Sequence, residues 1–160
     1  MPASGTPEEP NVPSIFRIKR RVLFYETDMA GIVHFSCYFR YMEEAEHAMW
    51  RALGMSIAPA ESEIGWPRVA ASFQYFRPLR FEDEFEIAMN VAERTEKSIK
   101  FACHLTRGGD KIATGSMTVV CVRRLPGQPM RSTLIPAEIA ARFPVTSEAL
   151  EASKTDTPRQ

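Results

Sequence analysis

Three side chains able to move a proton or attack a carbonyl carbon crowd into one short stretch: Asp28, His34 and Ser36, with Gly31 between them. A carboxylate such as Asp28 can serve as a nucleophile, or as the base that takes a proton from water. Just beyond Ser36 an apolar stripe of helical period begins. The backbone amides around Phe35 and Ser36 therefore lie at a helix N-terminus, where unpaired N–H groups and the positive dipole end favour an oxyanion. A carboxylate and an oxyanion site so close together suit acyl transfer. The plain alternative for Asp28 is a turn acid bonding its own loop. A Ser-His-Asp triad is disfavoured, because the three residues span 28–36 and lack a G-x-S-x-G elbow. His34 can bond a substrate, orient Asp28 or play a structural part, since its charge adjusts near neutral pH. Cys37, in the first helical turn, reads more simply as a buried small residue than as an activated thiolate.

The elements on either side must position these groups. Before the loop, apolar and aromatic residues from Ile15 to Glu26 predict a strand. Its basic run, Arg17, Lys19, Arg20 and Arg21, reads as a solvated strand face. After the loop, Tyr38, Tyr41, Met42, Ala45, Ala48, Met49, Ala52 and Leu53 form one apolar stripe and predict a helix over 36–53, with Gly54 as its C′ residue. Glu43 lies off that stripe on a flank shared with Phe39 and Trp50. That flank can face the cleft or a partner subunit, or Glu43 can simply pair with His47 one turn on. A connector with a short helical turn is expected over 55–65. Four strands follow, starting near Arg68, at Phe85, at Ile99 and at Ile112, the last running to about Arg124. The turn between the last two is Gly108-Gly109-Asp110. Pro136 to Phe143 predicts a short helix.

Short connections favour an antiparallel sheet, and only the 36–53 helix has a stripe long enough to cover one face. The fold class is α+β, with five strands curled around one long helix. Edge strands are then left for a second copy. Residues 1–13, with four prolines, read as a disordered leader, 14–144 as one domain, and 145–160 as a polar tail. Twenty basic residues balance twenty acidic ones, so no global field favours nucleic acid or a membrane surface. No apolar run approaches the ~20 residues of a membrane span, and no signal core starts the chain. Three cysteines suit packed thiols in a reducing compartment, hence a cytoplasmic protein. No cluster has zinc spacing, and no Gly-rich phosphate loop is present.

The run FYETDMAGIVHFSCYFRYMEEAE resembles the signature of hotdog-fold acyl-CoA thioesterases of the 4-hydroxybenzoyl-CoA thioesterase-like group. The matching positions are Phe24, Glu26-Thr27-Asp28, Gly31-Ile32-Val33, His34-Phe35, Tyr38 and Glu43. RPLRFEDEFEI is similar to the group's turn between its second and third strands, and the likeness extends over about 15–125. Three departures stand out: Glu26 where the group has Asp, His34 where Asn, Tyr or Trp is usual, and Glu46 where Arg is usual.

The resemblance implies a hotdog fold and hydrolysis of an acyl-CoA to free coenzyme A and a carboxylic acid, with no separate cofactor or metal. It implies Asp28 as the catalytic acid, the Phe35 amide at the oxyanion and Glu43 shaping the site. Gly31, His34, Ser36 and Tyr38 would bind substrate. Arg94, Lys97 and Ser98 would meet the coenzyme A phosphates, with Arg77, Arg80, Arg123 and Arg124 behind them. Phe73 or Trp66 would line the acyl slot, unless they are plain core. The expected assembly is a homodimer or homotetramer. An enoyl-CoA hydratase on this fold would want an Asp/His pair in a different loop pattern, which is missing. Against a non-catalytic acyl-CoA-binding protein stand Asp28 and Gly31.

Overall fold

The computed structural model describes residues 14–146. The expected leader over 1–13 and most of the expected tail lie outside them. Five long strands form the main sheet: β1 (Phe16–Arg21), β3 (Arg68–Tyr75), β4 (Glu84–Arg94), β5 (Ser98–Arg107) and β6 (Asp110–Val120). They run antiparallel in the order β1-β4-β5-β6-β3. Helix α1 (Cys37–Ala52) covers one face. The α+β expectation and the wrapped-helix architecture hold: this is a hotdog fold.

The core follows from alternation meeting the helical stripe. Phe85, Ile87, Met89 and Val91 of β4 point inward with Ile99, Phe101, Cys103 and Leu105 of β5. Against them pack Tyr38, Tyr41, Met42, Ala45 and Met49 of α1. Gly54 ends the helix at φ +72°, a conformation a side chain would strain. At the β6–β3 edge, Gly115 leaves room for the Phe73 ring, which lies 2.6 Å from where a Cβ would stand. All three cysteines are free, and Cys103 and Cys121 are buried.

Several expectations are corrected. The first strand stops at Arg21, and Phe24–Glu26 turn as a 3₁₀ helix. Their apolar character suited a strand, but Glu26 is drawn inward while Phe24 and Tyr25 are exposed. The basic run is not uniformly solvated: Arg20 turns in to meet Glu26, while Arg17 and Arg21 pair on the surface with Glu86 and Glu84. Trp50 is buried against Trp66 and Phe143 rather than lying on an open flank, and Glu46 is buried outright. The connector over 55–65 holds turns and no helix. The last long strand breaks at Cys121, after which β2 (Ile64–Gly65), β7 (Val122–Arg123) and β8 (Arg131–Ser132) make a small second sheet. The C-terminal helix α2 is short, Ala137–Ala140, with Pro136 as its N-cap.

Candidate active site

The chain between the 3₁₀ turn and α1 closes as a miniature hairpin. Thr27 and Val33 bridge, the Asp28 N–H donates to the Ile32 carbonyl, and the Gly31 N–H donates to the Asp28 carbonyl. Gly31 sits at φ +74°, which is why a glycine serves there. The Asp28 side chain is exposed, and its Oδ1 accepts the Ala30 N–H at 2.8 Å. It makes the local turn expected of a loop acid, and its other oxygen remains available.

Glu26 anchors the hairpin from below. It is 5% exposed, with Arg20 forked onto both carboxylate oxygens at 2.6 and 2.8 Å. The Leu23 N–H and the Tyr41 hydroxyl also donate to it, at 2.8 and 2.9 Å. Burial raises its pKa, but these donors outweigh burial and hold it below the usual carboxylate range. The Glu26 carbonyl accepts the His34 N–H, which sets where the chain enters α1. The glutamate that departs from the family signature is thus a structural anchor.

At the helix tip, Ser36 is the N-cap, but its hydroxyl lies 2.7 Å from His34 Nδ1 rather than on a helix amide. The Ser36 N–H donates to that same nitrogen. His34 is therefore paired with Ser36, with no side-chain cap on the helix amides, and makes no hydrogen bond to Asp28 among the described residues, so the triad is not assembled. Among the described residues, the Phe35 N–H has no hydrogen-bond acceptor. The Phe35 carbonyl accepts the Tyr75 hydroxyl at 2.9 Å. Tyr38 is buried, 3% exposed, and its ring packs against those of Tyr41, Phe73 and Tyr75. Burial pushes its phenol up to about 12. A cavity of about 350 Å³ opens beside the first turn of α1, lined by Tyr25, His34, Ser36, Cys37 and Arg40 among others. Asp28 does not line it. Burial also raises the Cys37 thiol, opposite to an activated thiolate.

The remaining candidates lie elsewhere. Glu43 is exposed on α1, 3.3 Å from Arg68 and 4.0 Å from His47. The Arg94 Nη1 donates to the Ala140 and Phe143 carbonyls and so holds the end of α2. Lys97 is exposed, and the Ser98 hydroxyl pairs with that of Thr95 at 2.7 Å. These three sit at the β4–β5 turn, the far end of an 11-residue strand from the hairpin, roughly 30 Å away. Arg80 reaches the Gly31 carbonyl at 3.4 Å. Trp66 is core, whereas Phe73 is half-buried against Phe39. Tyr75 and Arg80, which brace the loop, were not singled out for that by spacing: nothing in a strand's alternation marks which aromatic ends on a distant carbonyl.

No helix among the described residues is long and apolar enough to cross a membrane, and no cluster of three or more His, Cys, Asp or Glu among them could hold a metal. The model of the "Thioesterase-like superfamily" matches residues 22–143. A candidate esterase from Aquifex aeolicus (strain VF5) is 40% identical over 93 residues, 57% of this chain and 70% of that protein. A 1,4-dihydroxy-2-naphthoyl-CoA hydrolase of Prochlorococcus marinus (strain NATL2A) is 27% identical over 66% of this chain and 74% of its own. The structure of a gentisyl-coenzyme A thioesterase superposes with a TM-score of 0.71 at 30% identity, covering 80% of this chain and 99% of that one.

Proposed function

The chain belongs to the thioesterase-like superfamily, and on that premise we propose that it hydrolyses acyl-CoA thioesters with Asp28 as its acid and the Phe35 amide as its oxyanion donor. The observation that carries this reading is the Phe35 N–H: a helix-tip amide without an acceptor among the described residues, at the foot of the hairpin that presents Asp28. The amide takes the thioester oxygen as charge develops there. Asp28 either attacks the carbonyl carbon, forming an acyl-enzyme that water then cleaves, or deprotonates a water that attacks directly. Either way thiol and carboxylate leave, and the chemistry needs no cofactor. Two relatives named for hydroxylated aromatic acyl groups, and the Phe39–Phe73 wall beside α1, favour an aromatic acyl group.

The enzyme works as a homodimer joined along β3, and it is cytoplasmic. Strand β3 is at the sheet edge, with Val69 60% and Tyr75 45% exposed. Antiparallel pairing of two such edges lays the α1 helices side by side in opposite directions. Glu43 stands about 9 Å along α1 from the first residue of its own helix, nearly two turns on, too far to act there. In the dimer it faces the hairpin of the other copy. The turn holding Arg94, Lys97 and Ser98 likewise swings toward the other copy's hairpin, and there it meets the coenzyme A phosphates.

The test is thiol release from a panel of aromatic and straight-chain acyl-CoAs. Asp28→Ala should cost about a hundredfold or more in kcat; undiminished release by the folded variant removes Asp28 from the mechanism. Trapping with hydroxylamine during turnover separates the routes, since only nucleophilic attack forms a mixed anhydride on Asp28 that can be converted to a hydroxamate. Val69→Arg should give monomers by sedimentation and silence the site.

A further inference from the structure

The Phe35 ring is 63% exposed and meets the neighbouring His34 ring at 4.5 Å between centroids, so contacts from more distant elements reach Phe35 through its backbone. On one side the His34 carbonyl accepts the Cys37 N–H at 2.9 Å. On the other, the Phe35 carbonyl is taken by the Tyr75 hydroxyl at 2.9 Å, a bond from the edge strand to the helix entry. The Tyr75 ring is itself seated: its edge meets Tyr38, centroids 4.9 Å apart, and its face lies over Phe73 at 6.1 Å. Behind them, the Leu79 carbonyl receives the Val33 N–H, and the Leu79 backbone N–H donates to the Tyr38 hydroxyl oxygen. The phenol is therefore seated by its ring neighbours and reaches forward to the Phe35–Ser36 peptide, whose N–H end donates to His34 Nδ1 at 3.3 Å and whose carbonyl end it takes.

We propose that Tyr75 is a positioning residue of this thioesterase: its hydroxyl, donated from β3 to the Phe35 carbonyl, keeps the Phe35 N–H aimed at the thioester oxygen. The inference rests on the reading of the Phe35 amide as the oxyanion donor. Tyr75 touches neither substrate nor reacting atom. It acts by limiting rotation at Phe35, and an oxyanion donor serves only while it is aimed where the charge will appear. Losing such a donor outright costs about 10²–10³ in kcat, so loosening one should cost about tenfold.

Tyr75→Phe keeps both ring contacts and removes only the donor. The expected result is kcat down about tenfold, KM nearly unchanged, a melting temperature close to wild type, and a shifted, faster-exchanging Ser36 amide signal in ¹⁵N NMR. Tyr75→Leu, which also removes the ring, should show the same kcat loss with a lower melting temperature. Wild-type kcat in Tyr75→Phe overturns the positioning role and leaves the thioesterase standing. So does a loss expressed in KM, or one that merely tracks unfolding, either of which makes Tyr75 a structural residue. Wild-type protein that releases thiol from no acyl-CoA removes the underlying reading, and the role of Tyr75 falls with it.

Discussion

Glu26, packed against α1, and Glu46, carried by α1, are two buried carboxyls whose chemistry is opposite. Glu26 has a donor for each lone pair that matters: both arms of Arg20, the Leu23 amide and the Tyr41 hydroxyl. Glu46 is 0% exposed, with Arg68 on Oε2 and, among the described residues, no partner on Oε1. Burial pushes the Glu46 carboxyl up to about 7, aided by nearby Glu43 and opposed by Arg68. For Glu26 the donors win and the pKa falls. Exclusion from solvent thus does not by itself fix the charge; the depth of burial and the count of donors together decide whether a desolvated carboxylate stays ionised. His47, beside Glu46, is held below its usual pKa by burial and by Arg68 and Arg51, against the pull of Glu43. The satisfied glutamate anchors the hairpin that carries Asp28. The half-satisfied one ties the β3 edge to α1.

The largest effect should come from breaking the satisfied site. Arg20→Met leaves Glu26 charged, buried and without its main partner, and should cost roughly 3–5 kcal/mol in urea unfolding. A loss below 1 kcal/mol would mean that Glu26 does not depend on the fork.

Glu46 sharpens the contrast through pH. Its folded pKa, about 7, lies above the ordinary 4.5, so the folded state holds the proton more tightly. Its contribution is full below about pH 4.5 and is lost as pH rises through 7, by up to roughly 3 kcal/mol. Glu26 slopes the other way: its stabilisation is present above the ordinary carboxylate pKa and lost as pH falls through its lowered value. Glu46→Gln should therefore match wild type near pH 4 and exceed it at pH 8. Parallel stability curves for the two proteins would refute the orphan-oxygen account.

Arg68→Met should make Glu46 simply neutral, at a smaller cost of about 1 kcal/mol, with the wild-type pH slope shifted upward. Smallest of all, Glu43→Gln breaks exposed pairs with Arg68 and His47, and should change stability by less than about 0.5 kcal/mol. If it lowers kcat nonetheless, Glu43 serves the neighbouring copy's site rather than its own helix.

Much of this molecule was legible in its residues. Period-2 alternation in β4, β5 and β6 and the stripe on α1 are local patterns, and they identified the wrapped helix directly. Glycines at positive φ marked the hairpin and the helix end. The failures share a cause. Phe24 and Tyr25 have strand-forming side chains, yet a buried Glu26 pulls the backbone into a 3₁₀ turn. Arg20 belonged to a run of like charges; alternation turns it to the face shared with Phe16 and Ile18, and a carboxylate from outside its strand lets a charge stay there. Trp50 lay off the ideal stripe, but Trp66 and Phe143 close over it from elsewhere in the chain.

By itself the sequence determined the element order, the Asp28 loop and the helix tip that follows it, because propensity, period and turn chemistry act between residues near in the chain. Only the tertiary structure decided that Glu26 is ionised and Glu46 half-satisfied, that Arg94 closes α2, and that Tyr75 reaches Phe35. Those outcomes depend on which atoms meet across dozens of residues and on how much water is excluded when they do.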